Sequence, residues 1–230
     1  MTDGYRGHSR PEMQRFLPTR RRTGLEIWRG EGRFCAAIKD AAETWGIEPD
    51  AEAAERAAHR LQRVLFGSFR NVKDRLPRGQ FDIIVCNGVI EYMTDHDQFL
   101  EEAKAFLTFG GVLVASVPNV RHYQNLFELI FARDWHSCDA GTLDRTHLRF
   151  FTERSLRRTF EQRGYQIDVL SGINWGIKFG RSRWRLGPSL LACAAIVGSF
   201  GAFSDIRYPQ FAIVARVASQ SIDPPTMSQR

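Results

Sequence analysis

Gln80-Phe81-Asp82-Ile83-Ile84-Val85-Cys86-Asn87-Gly88 is the stretch on which the fold reading turns. Its near-continuous apolar run is what a strand needs when helices cover both faces of a parallel sheet; a half-exposed strand would alternate apolar with polar residues. Downstream, Phe99, Leu100, Ala103, Phe106 and Leu107 fall on one helical stripe over Phe99 to Leu107. Gly110-Gly111 is expected to end that helix, and Val112 to Val117 to form the next strand, stopped by Pro118. Upstream, Gly24 to Ile27, Trp45 to Ile47 and Val64 to Phe66 read as strands. Helical content lies between them at Arg33 to Thr44 and in alanine-rich Asp50 to Leu61, with Asp50 as N-cap. Alternation at this spacing predicts βαβ units, hence an α/β chain with a Rossmann-like doubly wound, mostly parallel sheet.

Toward the ends the pattern changes. Pro11 to Leu17 suits a short helix capped by Ser9. Val120 to Phe131 reads as helical, Asp134 to Arg149 as a long loop, and Thr152 to Arg163 as a helix capped by Thr152. Gly164 to Leu170 and Gln210 to Ala218 are closing strands, the C-terminal one antiparallel. With 230 residues there is enough chain for one substantial core and hardly enough for two. We therefore expect a single domain over 1–219, loosely ordered through residue 10, and a disordered tail over 220–230.

The net charge of +6 is spread over separate arginine and lysine clusters. A mild preference for anionic partners follows, with no nucleic-acid partner expected. Four widely spaced cysteines show neither a CxxC pair nor metal-ligand spacing, so no metal is expected and a reduced, cytoplasmic setting fits best. Met1 to Arg10 lacks the apolar core of a signal peptide. Leu186 to Phe203 carries no charge, which reaches the lower limit of a membrane span, about 18 residues. Gly187, Pro188, Gly198 and Gly201 interrupt it, so a buried or surface-lying helix is expected, with peripheral membrane contact kept open.

Ligands of open α/β sheets bind beyond the carboxyl ends of the strands. Four elements fall there: the turn Glu26-Ile27-Trp28-Arg29-Gly30-Glu31-Gly32; Glu48; Ser68; and Asn87-Gly88-Val89-Ile90-Glu91-Tyr92. Backbone N–H groups of the glycine turn suit an anion, and a strand-end acid such as Glu48 can accept two hydrogen bonds from a ribose diol. This order of motifs resembles the class I S-adenosylmethionine-dependent methyltransferases across roughly Pro11 to Val217. The run Asp144-Arg145-Thr146-His147-Leu148-Arg149-Phe150-Phe151-Thr152 is similar to a segment of a bacterial, glycan-associated branch.

The resemblance implies S-adenosyl-L-methionine as cofactor, held by Glu26, Gly30, Gly32, Glu48, Ser68 and Asn87. It implies methyl transfer to an oxygen or nitrogen of a small molecule or glycan precursor. His147 and His122, near the expected mouth, are the candidate general bases, with a packed loop histidine and a helix-start residue as their plain alternatives. Asp82 is expected to order nearby loops, and Glu91 either to position substrate or to be a solvated loop acid. Trp28 stands where the family has its first glycine, Arg29 where it has a small residue, Ser68 for an acid and Tyr92 for a histidine. A second reading follows from those departures: a non-catalytic, methyltransferase-like binding or membrane-peripheral protein that no longer binds the cofactor. Reverting Trp28→Gly with Arg29→Cys separates the two, since cofactor affinity gained only in the revertant supports the second.

Overall fold

The computed structural model describes residues 10–18, 22–27, 31–38, 41–175 and 183–218, excepting the side chains of 183–186. Gly30, Trp28, Arg29, Ser9 and the tail therefore lie outside the described residues. Seven strands form one sheet in the order β3-β2-β1-β4-β5-β7-β6. They are β1 (Thr23–Ile27), β2 (Glu43–Glu48), β3 (Arg63–Phe66), β4 (Phe81–Asn87), β5 (Leu107–Pro118), β6 (Tyr165–Ile173) and β7 (Gln210–Val217). The first five run parallel, and β7 pairs antiparallel with both β5 and β6. This is the doubly wound α/β architecture expected, with the order reversing between β1 and β4.

Eight α-helices accompany the sheet among the described residues: α1 (Pro11–Gln14), α2 (Arg33–Ala36), α3 (Ala51–Ala58), α4 (Phe69–Val72), α5 (His96–Ala103), α6 (Tyr123–Phe127), α7 (Glu153–Gln162) and α8 (Arg183–Gly198). Asp50 caps α3 by accepting from Ala53 N at 2.9 Å. Thr152 and Ser155 close a reciprocal capping box on α7, which satisfies backbone donors that the first helical turn leaves unpaired. One apolar cluster packs Leu25, Ile84, Leu113 and Ile213 with the α4, α5 and α7 side. The other packs Ile83, Val85 and Val114 with Met13, Phe34 and Leu61. β4 thus alternates its side chains between two buried layers, which explains its lack of polar alternation.

Three local expectations are corrected. The helical stretch after Gly32 stops at Ala36, and the strand begins already at Glu43. Arg10, in the left-handed region at φ 48°, occupies the N-cap of α1 without a side-chain cap bond. Its guanidinium donates from Nη2 to Ser116 Oγ (2.8 Å) and Gln210 Oε1 (3.0 Å). Gly110-Gly111 lie within β5, because α5 and a following 3-10 turn end at Phe106. A Cβ on Gly111 would meet the Phe81 carbonyl oxygen at 2.8 Å, and Gly110 has φ +78°. These glycines serve the register shift between β4 and β5 and a close backbone approach.

Candidate active site

The carboxyl ends of β1, β2 and β4 converge where the strand order reverses. Glu26 on β1 and Glu48 at the end of β2 line one narrow cleft with Gly32, Gly46, Ile47, Ala57 and Leu61, whose cavity volume is about 10 Å³. Glu26 Oε2 accepts from the Cys35 backbone N–H at 2.9 Å. Burial pushes its carboxyl up from the ordinary 4.5 to about 7, with the nearby Glu48 adding to the rise. Removing water disfavours the charged form, and a second carboxylate has the same sign of effect. Such a site favours a positively charged guest. Glu48, 5% exposed, accepts from Asp50 N at 2.9 Å, which orients its carboxylate at the head of α3.

Gly32 ends the glycine turn at φ +70°, where a Cβ would meet Leu61 Cγ at 2.7 Å. Across the cleft a Cβ on Gly46 would meet Leu61 Cδ1, also at 2.7 Å. Leu61 therefore packs directly against both glycines, and at Gly32 the positive φ independently favours a residue without a side chain. Glu31 fixes the same turn from outside: its carboxylate pairs with Arg33 (2.8 Å), Arg56 (2.9 Å) and Arg60 (3.2 Å). The hydrogen bond from Arg33 holds its carboxyl below the usual range, with the three guanidinium charges assisting. Leu61 and Glu31 were not singled out from sequence. A glycine inside a strand, Gly46, was the available signal for Leu61, since it marks close approach.

Asn87 ends β4, and both polar atoms of its side-chain amide are buried without a hydrogen-bond partner. A buried amide with neither donor nor acceptor satisfied costs about 1–3 kcal/mol. Ser68 precedes α4 and makes no side-chain cap bond; it is not among the residues lining the Glu26–Glu48 cleft. Asp82 acts on structure as expected: Oδ2 accepts from Arg22 N (2.9 Å) and Thr23 N (3.3 Å), and Oδ1 from the Thr108 hydroxyl (3.1 Å).

Past Asn87 a 3-10 turn, Ile90–Tyr92, receives the long loop. Leu148 N and Arg149 N donate to the Glu91 carbonyl at 2.8 and 3.1 Å. Glu91 itself is 2% exposed, so it is not a solvated loop acid. His147 is buried on this loop; its Nδ1 lies 3.0 Å from Thr142 O and its Nε2 lies 2.9 Å from the Tyr92 hydroxyl. A carbonyl only accepts, so Nδ1 carries the proton and donates, leaving Nε2 to accept from Tyr92. The two rings meet edge to face with centroids 4.6 Å apart. The tyrosine standing where the resemblance expects a histidine is thus coupled to a histidine brought from the loop.

His122 is also buried, at the N-terminal end of α6. Burial lowers its pKa to about 4, leaving a neutral ring of weak basicity at pH 7. Tyr123 is a core residue beside Ala192 and Ile206, whereas Trp135 is partly exposed against the edge of Phe150. Among the described residues no group of three or more His, Cys, Asp or Glu is arranged to hold a metal ion.

Comparison with known proteins agrees with this fold. A family model described as a methyltransferase domain matches residues 5–170. A ubiquinone biosynthesis O-methyltransferase from Nitrobacter winogradskyi is 28% identical over 182 residues, 72% of this chain and 64% of the relative. The chain thus spans somewhat less than two thirds of that relative's length. Among solved structures, an S-adenosylmethionine-dependent methyltransferase from Archaeoglobus fulgidus superposes with a TM-score of 0.65 at 16% identity, covering 93% of this chain and 96% of that one. One from Thermotoga maritima gives 0.59 at 20% identity, covering 89% and 86%. The strand order, the two strand-end acids and the match across most of the chain lead to one assignment: this protein belongs to the methyltransferase-domain family, within the class I S-adenosylmethionine-dependent methyltransferases.

Proposed function

We propose that the chain catalyses S-adenosylmethionine-dependent methyl transfer to an oxygen or nitrogen of a small molecule, a glycan precursor being the acceptor class implied by the Asp144–Thr152 segment. The observation that carries this reading is the convergence of Glu26, Glu48 and the unpartnered Asn87 amide at the ends of three adjacent strands. These groups fit the cofactor's chemistry: a carboxyl in a site that favours a cation, a second carboxylate able to accept from a diol, and an amide lacking both partners. Gly30 and Gly32 would supply backbone at the turn, and Ser68 a hydroxyl near the base. When bound, the cofactor supplies an electrophilic sulfonium methyl group.

The protein's task is then to align a nucleophile with that methyl group and to exclude water. For a hydroxyl acceptor, His147 is the better base of the two histidines. Its Nδ1–H is held by Thr142, so Nε2 presents a lone pair, currently accepting from Tyr92. An acceptor proton passes to the Tyr92 oxygen as the Tyr92 proton passes to His147 Nε2, giving a neutral phenol and an imidazolium. His122, whose lowered pKa makes it a weaker base at pH 7, is better suited to lining the mouth.

Calorimetric titration with S-adenosylmethionine tests the reading. Saturable binding that Glu48→Ala weakens about tenfold or more is expected, as befits loss of charge-assisted hydrogen bonds. No heat of binding at millimolar ligand would remove the proposal.

A further inference from the structure

The long loop that brings His147 to Tyr92 also carries two aromatic side chains for which the cofactor cleft has no use. Trp135, near its start, and Phe150, just past its end, are 42% and 40% exposed. Their ring centroids lie 5.2 Å apart with the planes at 86°. Such an edge-to-face contact uses one edge and one face and leaves the other ring faces open. Phe150 in turn meets His147, with centroids 6.3 Å apart, and His147 meets Tyr92 at 4.6 Å. The four rings form a continuous run from solvent to the Tyr92–His147 pair.

The loop holds these rings in place. Cys138 N donates to Leu143 O and Arg145 N to Cys138 O, each at 2.9 Å, and Leu143 is buried. Past His147, Arg149 Nη2 donates to Thr94 O at 2.9 Å, and Val120 N to Phe151 O, also at 2.9 Å. Two touching aromatic rings left exposed on a tied loop beside a reactive pair mark a binding surface, because a structural role alone would bury them.

The groups around the rings select the ligand. Asp134 and His136 flank Trp135, and Arg149 precedes Phe150, all three exposed. The rim thus offers a carboxylate, an imidazole and a guanidinium, with both signs of charge present. An apolar ligand would strip water from these groups and return no hydrogen bond. A strongly charged one would meet a like charge on one side. A neutral ring edged with hydroxyls fits both demands: its hydroxyls replace the lost water, and the C–H bonds of its face lie against the negative face of an arene.

We propose that Trp135 and Phe150 form the acceptor subsite and that it takes a neutral sugar ring, stacked against the aromatic pair with one hydroxyl directed to the Tyr92 oxygen. Its role as acceptor site rests on the methyl-transfer reading. The sugar oxygen bonds to the methyl carbon as the carbon–sulfur bond breaks and its electron pair stays on sulfur, and the hydroxyl proton goes to the Tyr92–His147 pair.

Saturation-transfer NMR on the full chain tests it, with the methyl glycosides of glucose, galactose, mannose and rhamnose as probes and catechol as the arene control. Saturation is expected at the ring C–H protons of at least one glycoside. Trp135→Ala should weaken that binding about tenfold or more, whereas Trp135→Phe, which keeps an aromatic face, should retain it within about threefold. Both variants alter an exposed side chain outside the cofactor cleft, so circular dichroism and calorimetric S-adenosylmethionine affinity should match the parent. Three outcomes overturn the proposal: no glycoside bound at tens of millimolar, catechol bound in preference to every glycoside, or equal glycoside binding by Trp135→Ala. A parent that binds glycoside through Trp135 but not S-adenosylmethionine would remove the methyl-transfer reading and leave a sugar site without it.

Discussion

Replacing Glu26 by Gln tests the electrostatics of the cleft in the protein alone and with its cofactor. Glu26 has its carboxyl raised from 4.5 to about 7 in the folded chain, chiefly by burial. At pH below the lower value both folded and unfolded chains hold the proton, and Glu26 has no pH-dependent effect. As pH rises from 4.5 to 7 the unfolded chain releases its proton while the folded one retains it, so the folded state loses stability. Above 7 the loss is complete. At about 1.4 kcal/mol per pH unit, it amounts to roughly 3 kcal/mol. Glutamine keeps an oxygen that can accept from Cys35 N but carries no charge. Urea unfolding should therefore find Glu26→Gln about 3 kcal/mol more stable than the parent at pH ~8, and nearly equal at pH ~4. A cation in the cleft reverses the preference. Calorimetry in buffers of different ionisation enthalpy should show proton release when S-adenosylmethionine binds the parent near pH ~6.5, and none with the variant, which should bind about tenfold more weakly or worse. A variant less stable than the parent at pH ~8, by any amount outside error, would refute the claim that an ionised Glu26 is held at a cost in a buried site.

Gly32→Ala should destabilise the fold by about 1–3 kcal/mol in urea unfolding, because it adds a Cβ at positive φ and drives it to 2.7 Å from Leu61 Cγ; an unchanged midpoint would mean the turn relaxes freely. Tyr92→Phe removes the hydroxyl on His147 and should lower kcat about tenfold to a hundredfold with an oxygen acceptor, leaving cofactor affinity within about twofold; full turnover would place the base elsewhere. With His122 lowered to about 4, the activity profile should show no ionisation from it above pH ~5, and His122→Asn should leave the alkaline side of that profile where it was.

Much of the architecture can be read from residues whose local physics points one way. Ile83 to Cys86 is apolar on both alternating sets because two clusters claim it, Ile84 and Cys86 in one and Ile83 and Val85 in the other. Asp50 and Thr152 precede helices with little alternative use for their side chains. Boundaries failed where a residue had two uses: Gly110-Gly111 can stop a helix or carry a strand past a neighbouring carbonyl, and only the Phe81 backbone decides between them. The two strand-end acids were legible because sheet topology sends strand ends to a common edge. Arg10, Glu31 and Leu61 were not, since each acts through a partner distant in sequence. The Tyr92–His147 pair spans 55 positions, and neither residue's spacing announces the other.

The central claim is that the cleft between the ends of β1 and β2 holds an adenosyl cofactor. A crystal structure with S-adenosylhomocysteine at saturating concentration addresses it most directly. Density for the ribose within hydrogen-bond reach of the Glu48 carboxylate, with Asn87 newly partnered, is the predicted result. A cleft empty of ligand, or ligand ordered at another face of the sheet, would contradict it.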